Sequence, residues 1–379
     1  MEKLQVKEIT GPAWASSLLE KIEPKLEATV ERNFGKIPYV STNGVYDDKN
    51  QNDISWWTNG FYAGELWQLY HLTGKKIYLE GARNVELLLD RAFSEFEGLH
   101  HDVGFMWLHT GVADYRITAN RDSYTRGLHA ATILAGRYNP VGKFIRAWNR
   151  DLSGWVIIDS LMNIPILYWA SAETGDPRFK QIAMNHADTL LKYLIRSDGS
   201  AAHIGSFNAE NGDFIETIGG QGFDADSAWS RGQAWAIYGY ALSYHHTKEQ
   251  RYLDAAKRIA NFFIANVSQC DYLTLVDFKA PYSELKYDAS AGVCAACGML
   301  EIAKWVTPNE KGLYSDAATK ILQKTAEVWG DWNPETDGII TATSHSYHQE
   351  EETHVPIVYG DYYFVEGLLR LTGNELFLW

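Results

Sequence analysis

The sequence predicts an all-α protein, an (α/α)6 barrel of six helical hairpins with an inner and an outer ring, and three observations lead there. A short phrase recurs: threonine, then Tyr or Phe five residues on, then Ala four further. It stands at Thr73/Tyr78/Ala82, Thr174/Phe179/Ala183 and Thr247/Tyr252/Ala256, with a truncated copy at Thr372/Phe377 and looser ones around Thr118/Tyr124 and Thr307/Tyr314. Each copy lies between two apolar helical patterns and so marks the turn of a hairpin, and repetition of this kind is the signature of a repeat architecture. Finally, the segments before the turns are apolar on most sides, as buried helices are, whereas those after them are amphipathic.

In chain order, residues 13–32 form an amphipathic helix with no inner partner before it. Residues 60–72 give the first inner helix and 78–92 its outer partner. The second hairpin is the weakest, because residues 103–117 are interrupted and polar. Residues 160–172 and 178–195 make the third hairpin, 232–244 and 251–264 the fourth, 291–306 and 313–328 the fifth. Residues 361–371 are a sixth inner helix with no outer helix after it. The first segment supplies what the last lacks, and closure into a ring removes the need for the terminal caps of an open solenoid. At 379 residues the chain exceeds the usual reach of one core, but a toroid wraps its core around an axis. No Pro-, Ser- or charge-rich linker interrupts it, so a single domain over residues 1–379 is expected. The longest irregular stretch, residues 197–228, is rich in Gly and Asp, and loops of that length usually serve a site.

Lys plus Arg total 34 against 48 Asp plus Glu, a formal net charge of −14. That balance argues against nucleic acid or an anionic membrane surface as the main partner, but not against a small acidic ligand in a cleft. No 18-residue uncharged apolar run is present, and the opening residues do not read as a signal peptide, so a cytoplasmic location is expected. Three cysteines, Cys270, Cys294 and Cys297, without a disulfide framework fit a reducing compartment. The Cys294/Cys297 pair lies in an Ala- and Gly-rich inner segment and reads as small residues at a helix contact. His345, His348 and His354 surround three glutamates and match no ligand spacing, so no metal is expected. A phosphate loop and a nucleophile elbow are likewise missing, and no cofactor is expected.

The polar residues that packing explains least stand at the starts of the inner helices: Ser55 to Asn59, His100 to Phe105, Asp159 within an apolar run, Ser227 to Trp235, Tyr287 to Ser290, and Tyr359 to Tyr363. Inner helices of such a barrel run in one direction, so their N-termini surround one cavity, and free N–H groups and dipole ends there favour a carboxylate ligand. Trp56, Trp57, Trp148 and Trp229 lie beside these polar groups, as suits the flat apolar faces of sugars. Asp159, Asp288 and Asp361 also have a plain reading as helix caps, which would lower a carboxyl pKa. Asp159 after four apolar residues, and Asp102 between two histidines and Val-Gly-Phe, fit a cap less well. Two such carboxyls in one mouth would raise one pKa and produce a proton donor near neutrality. Both readings stand at this point.

His100-His101-Asp102-Val103-Gly104-Phe105, Ile157-Ile158-Asp159-Ser160-Leu161-Met162-Asn163, Trp229-Ser230-Arg231-Gly232-Gln233-Ala234-Trp235 and Gly360-Asp361-Tyr362-Tyr363, in that order, resemble the unsaturated glucuronyl hydrolases, glycoside hydrolase family 88. The resemblance runs from about Trp57 to the C-terminus. It implies the same barrel and a hydrolase acting on small acidic oligosaccharides capped by a 4,5-unsaturated uronic acid. It implies hydration of the vinyl ether rather than attack at the anomeric carbon, so the carboxylate spacing of ordinary glycosidases does not apply. By the resemblance Asp159 matches the proton donor and Asp102 the second essential aspartate. Trp57, His101, Trp148, His203, Gln221, Arg231 and Trp235 match substrate contacts. The sequence departs from the family at Trp56, where Asp is frequent, and at Arg146, where Gln is frequent. The acidic loop around Glu350, Glu351 and Glu352 disfavours sulfate at that place. Unsaturated rhamnogalacturonyl hydrolase and polysaccharide lyase are the competing readings.

Overall fold

The structure, a computed structural model, describes residues 11–149, 152–282 and 285–379. It is the expected barrel. The outer ring consists of α1 (Ala13–Asn33), α3 (Lys76–Glu95), α5 (Arg121–Gly136), α7 (Pro177–Tyr193), α9 (Gln250–Val267) and α11 (Pro308–Trp329). The inner ring consists of α2 (Phe61–Thr73), the composite α4 beginning at Val103, α6 (Pro165–Thr174), α8 (Ser230–Thr247), α10 (Ala289–Ile302) and α12 (Val358–Leu371). Each inner helix packs on its neighbours, and α12 packs on α2 to close the ring. The N-terminal helix α1 lies against α12 and α3, filling the outer place that the last hairpin leaves open.

The recurring threonine has a physical reason. Thr73, Thr174 and Thr247 each donate their hydroxyl to the carbonyl four residues back, at 2.8, 2.6 and 2.6 Å. Each also accepts the N–H two residues on, at 3.2 Å. One hydroxyl thus satisfies a free carbonyl at the end of the inner helix and turns the chain toward the outer one. The residue between, Gly74, Gly175 or Lys248, is left-handed. Tyr78, Tyr252 and the alanines Ala82, Ala183 and Ala256 are fully buried, anchoring the outer helices.

Two inner helices differ from the sequence expectation. Helix α4 is α-helical over Val103–Trp107, π-helical over Leu108–Val112 and α-helical again over Ala113–Thr118. There His109 Nδ1 lies 2.8 Å from Phe105 O, and Thr110 donates to Met106 O at 2.7 Å. Side chains that occupy carbonyls four residues back compete with the backbone ladder and favour such a bulge. The third inner helix starts later than expected. Ile158–Met162 is a 3-10 turn, and α6 begins only at Pro165, whose missing N–H is tolerated at that place.

The stretch read as irregular contains order. Trp155–Ile157 (β1), Ile204–Phe207 (β2) and Phe214–Ile218 (β3) form an antiparallel sheet, with Ile157 opposite Ile204 and Ile204 opposite Ile218. The sheet leads straight into the turn bearing Asp159. Cys294 and Cys297 are buried in α10 and unpaired, and the Cys297 thiol donates to Tyr363 O at 3.2 Å. At the far end of the barrel Trp379 is fully buried, parallel to Tyr363 at 6.0 Å, and closes the floor. Among the described residues no helix is long and apolar enough to cross a membrane.

Candidate active site

The starts of the inner helices do meet. Trp57, before α2, lies 5.0 Å from Tyr359 on α12, 5.7 Å from Phe105 on α4 and 6.4 Å from Trp235 on α8. These rings form an aromatic wall with Trp57 part-exposed. Trp235 is only 1% exposed, so it backs Trp57 from behind. Trp148 stands edge-on to His101 at 6.4 Å and keeps part of its face open.

Four aspartates stand near inner-helix starts, and the structure divides them. Asp288 caps α10, accepting from Ser290 N at 3.2 Å, and pairs with Arg231. Asp361 accepts from Ile339 N, Ile340 N and Tyr46 Oη, each at 2.8 Å, and is a buried structural anchor. Asp102 and Asp159 make no side-chain cap bond. The plain cap reading therefore holds for Asp288, while Asp102 and Asp159 are held for something else.

Asp102 sits in a cage. His100 Nδ1 and His101 Nε2 lie 3.3 and 3.2 Å from its Oδ2, and Asn163 donates to its Oδ1 at 2.8 Å. Burial first, and then the negative charge of Asp159, push its pKa up to about 8, against the lowering pull of the Asn163 bond. Asn163 joins the two hairpins. Its amide also lies 3.4 Å from Asp159 O, and its Oδ1 accepts from Phe105 N at 2.7 Å. That crossing is close enough to require Gly104, where a Cβ would fall 2.4 Å from Asn163 O.

Asp159 has an opposite character. Its Oδ1 has no hydrogen-bond partner, although its side chain is only 16% exposed. Desolvation raises its pKa to about 7, and Arg231 holds it from rising further. His203 Nε2 stands 3.7 Å from that oxygen, also without a hydrogen-bond partner. Gln221 N donates to His203 Nδ1 at 3.0 Å, which leaves the ring proton on Nε2, aimed at Asp159 and the cavity. Gly220 permits this approach, since a Cβ there would lie 2.2 Å from His203 Nδ1. Burial keeps His203 neutral, its pKa lowered to about 3. A buried neutral donor beside a half-protonated carboxyl is what acid–base chemistry at neutral pH needs.

Arg231 lies behind this pair rather than on the open surface. It is 1% exposed, bonded to Asp288 and to Ser344 O and His345 O, with its plane 4.7 Å from the Trp229 ring and 5.2 Å from Tyr359. Its Nε remains without a hydrogen-bond partner. Gln221 ties the same wall together by donating to His345 O at 2.8 Å. Asp102, Asp159, His203, Trp57 and Trp148 thus lie toward one mouth, with Gln221 beside it and His101, Arg231 and Trp235, each 1% exposed, behind.

Sequence reasoning gave no individual role to Asn163, His100 or Tyr359, and read Trp229 only as one of several rings suited to sugar faces. Asn163 carried one usable signal, a polar residue four after Asp159 and so on the same helical face. Among the described residues one group has the donor spacing of a metal site, His100, His101 and Asp102, whose ligand atoms lie within 4.8 Å of one another. It is not the His345/His348/His354 set considered from sequence. His348 and His354 instead bond to Phe223 O and Tyr287 N, at 2.8 and 2.9 Å.

Comparison with known proteins finds relatives over nearly the whole chain. No family model matches the chain. It is 34% identical over 361 residues to the unsaturated glucuronyl hydrolase of Bacillus sp. (strain GL1), covering 92% of this chain and 94% of that protein. A crystal structure of unsaturated glucuronyl hydrolase from Bacillus sp. GL1, described as responsible for glycosaminoglycan degradation, superposes with a TM-score of 0.89 at 32% identity, over 94% of this chain and 96% of that one. The unsaturated chondroitin disaccharide hydrolase of Streptococcus pneumoniae (strain ATCC BAA-255 / R6) is 31% identical over 99% of this chain and 95% of its own. A Streptococcus agalactiae unsaturated glucuronyl hydrolase, an Asp-to-Asn mutant complexed with dGlcA-GalNAc6S, matches over the full length of both chains with a TM-score of 0.82 at 27% identity.

Proposed function

The chain belongs to the unsaturated glucuronyl hydrolase family, and on that premise we propose that it removes the 4,5-unsaturated glucuronic acid from the non-reducing end of oligosaccharides released by polysaccharide lyases. Glycosaminoglycan fragments are the proposed class, since the relatives' names point to them. The observation that carries the reading is Asp159: a carboxyl with a free oxygen, a pKa near 7 and a second carboxyl, Asp102, beside it in an aromatic mouth.

In the proposed reaction protonated Asp159 gives its proton to C4, and the ring oxygen stabilises the cation left at C5. The Asp159 carboxylate then takes a proton from water as the hydroxyl adds to C5. The C5 hemiketal opens by breaking its bond to the ring oxygen, leaving a C5 ketone and a C1 hemiacetal. That hemiacetal releases the remaining sugar as an alcohol, so one water is consumed overall. His203 Nε2–H holds the water or the substrate oxygen, and Asp102, bonded to Asn163, fixes the sugar hydroxyls. Trp57 and Trp148 offer faces for the rings, and the inner-helix N-termini favour the uronate carboxylate. The chain's own carboxyls suffice for these steps, and residues 1–379 act as one catalytic domain. Three unpaired cysteines fit a reducing compartment, which supports a cytoplasmic location.

A panel of unsaturated disaccharides, followed by ultraviolet absorbance of the conjugated double bond, tests the proposal. Absorbance falls with the glucuronyl disaccharides. A fall only with the rhamnogalacturonyl disaccharide moves the substrate to pectin, and a rise on intact polymer assigns a lyase instead.

A further inference from the structure

Asp159 is the group on which the proposed chemistry turns, yet its carboxyl is hydrogen-bonded to no other residue, only to its own backbone N–H. Oδ1 is unpartnered. Its placement comes from the backbone of the Ile158–Met162 turn. Ile158 N donates to His203 O at 3.0 Å, and Asn163 Nδ2 holds Asp159 O at 3.4 Å. The rest of the clamp comes from the outer ring. Ser160 Oγ donates to Ile157 O at 2.5 Å, and His186 Nε2 on α7 lies 2.6 Å from that same Oγ. His186 is fully buried.

The tautomer of His186 follows from its other nitrogen. Ile145 N donates to His186 Nδ1 at 2.9 Å, so Nδ1 carries the lone pair and Nε2 carries the proton. The hydrogen bonds therefore run in one direction: Ile145 N–H to His186, His186 Nε2–H to Ser160, Ser160 O–H to the carbonyl of Ile157. Ile145 begins the segment that reaches Trp148, and Ala147 in it accepts from His101 N at 3.2 Å. One buried ring thus connects the segment leading to Trp148 with the turn bearing Asp159. Burial keeps the ring neutral, its pKa lowered to about 3, so this order of donors holds throughout the working range.

We infer that His186 is a positioning residue for the reaction, setting the aim of Asp159 through Ser160 without touching substrate. The inference rests on the proposed role of Asp159 as proton donor. Displacing a reacting group by about 1 Å can cost about a hundredfold in rate, so the effect belongs in turnover rather than in affinity.

Two replacements separate positioning from mere filling. In His186→Gln the side-chain amide places its nitrogen where Nε2 was and keeps the donor to Ser160. In His186→Asn the amide oxygen replaces Nδ1, satisfying Ile145 N–H but leaving Ser160 without its donor. The expected result is a kcat lowered about ten- to a hundredfold in His186→Asn with KM unchanged, and most of the turnover restored in His186→Gln. Equal kcat in the two variants, or a loss carried by KM alone, overturns the inference. Should His186→Asn not fold, as judged by circular dichroism, Ser160→Ala tests the same link: kcat falls with KM unchanged if the inference holds, and an unchanged kcat overturns it. Asp159→Asn measured alongside distinguishes the failures. Turnover kept there removes the premise, whereas turnover lost there with His186→Asn unaffected removes only the positioning role.

Discussion

Replacing Asp159 by Asn changes one oxygen for one nitrogen and removes the only proposed proton source, so it isolates the chemistry from the packing. The side chain is mostly enclosed, and its free oxygen faces no protein donor closer than His203 at 3.7 Å. The amide keeps the shape of the carboxyl, whose hydrogen bond is to its own backbone N–H, and ligand affinity and fold are expected to stay. General acid–base catalysis contributes factors of about 10² to 10⁴, or about 3–5 kcal/mol of barrier, and kcat is expected to drop by that much. The pH profile gives a second reading. With a pKa of about 7, Asp159 is protonated below neutrality and loses its proton above it. In the unsubstituted protein kcat/KM then falls about tenfold per pH unit on the alkaline side, and that arm is absent from the residual activity of the variant. The assay is loss of the conjugated double bond in the ultraviolet, with calorimetric titration of the disaccharide on the variant to confirm binding. Unchanged turnover in Asp159→Asn, or an arm that persists there near pH 7 rather than at the higher value of Asp102, would refute the reasoning.

Arg231→Met is expected to do two things at once. It leaves buried Asp288 without its cation, a loss of about 3–5 kcal/mol in urea unfolding, and it removes the charge that lowers Asp159, so the alkaline arm moves to higher pH; an arm that stays in place would show that Arg231 and Asp159 are not coupled. A strong chelator is expected to leave turnover intact, because each step is assigned to side chains. Loss of activity that zinc restores would instead place an ion on His100, His101 and Asp102.

Much of the barrel was legible because its hairpin turn repeats. A threonine that bonds backward and forward across the turn leaves a mark at fixed spacing from a buried aromatic and a buried alanine. The π-helical turn of α4 and the 3-10 turn before α6 were not legible as such. They depend on His109, Thr110 and Ser160 bonding to nearby carbonyls, and the same residues elsewhere point to solvent. In the site, Asp102 and Asp159 stood out as charges among apolar neighbours. Whether they were caps or acids was not decidable from sequence, since the answer lies in which backbone N–H groups reach their oxygens. Asn163 and His186 were harder still. Their partners lie 61 and 41 positions away, across hairpins, and only the fold brings them together.

The place of α1 has a consequence for how the molecule is made. Its buried residues Leu19, Ile22, Leu26 and Val30 find part of their cover on α12, and Arg32 reaches Asp337 across 305 positions. During synthesis this helix emerges 305 residues before part of its cover. Contacts so distant in sequence are slow to form and leave apolar surface bare in the meantime. Ring closure, rather than any single hairpin, is therefore the step that covers this apolar face.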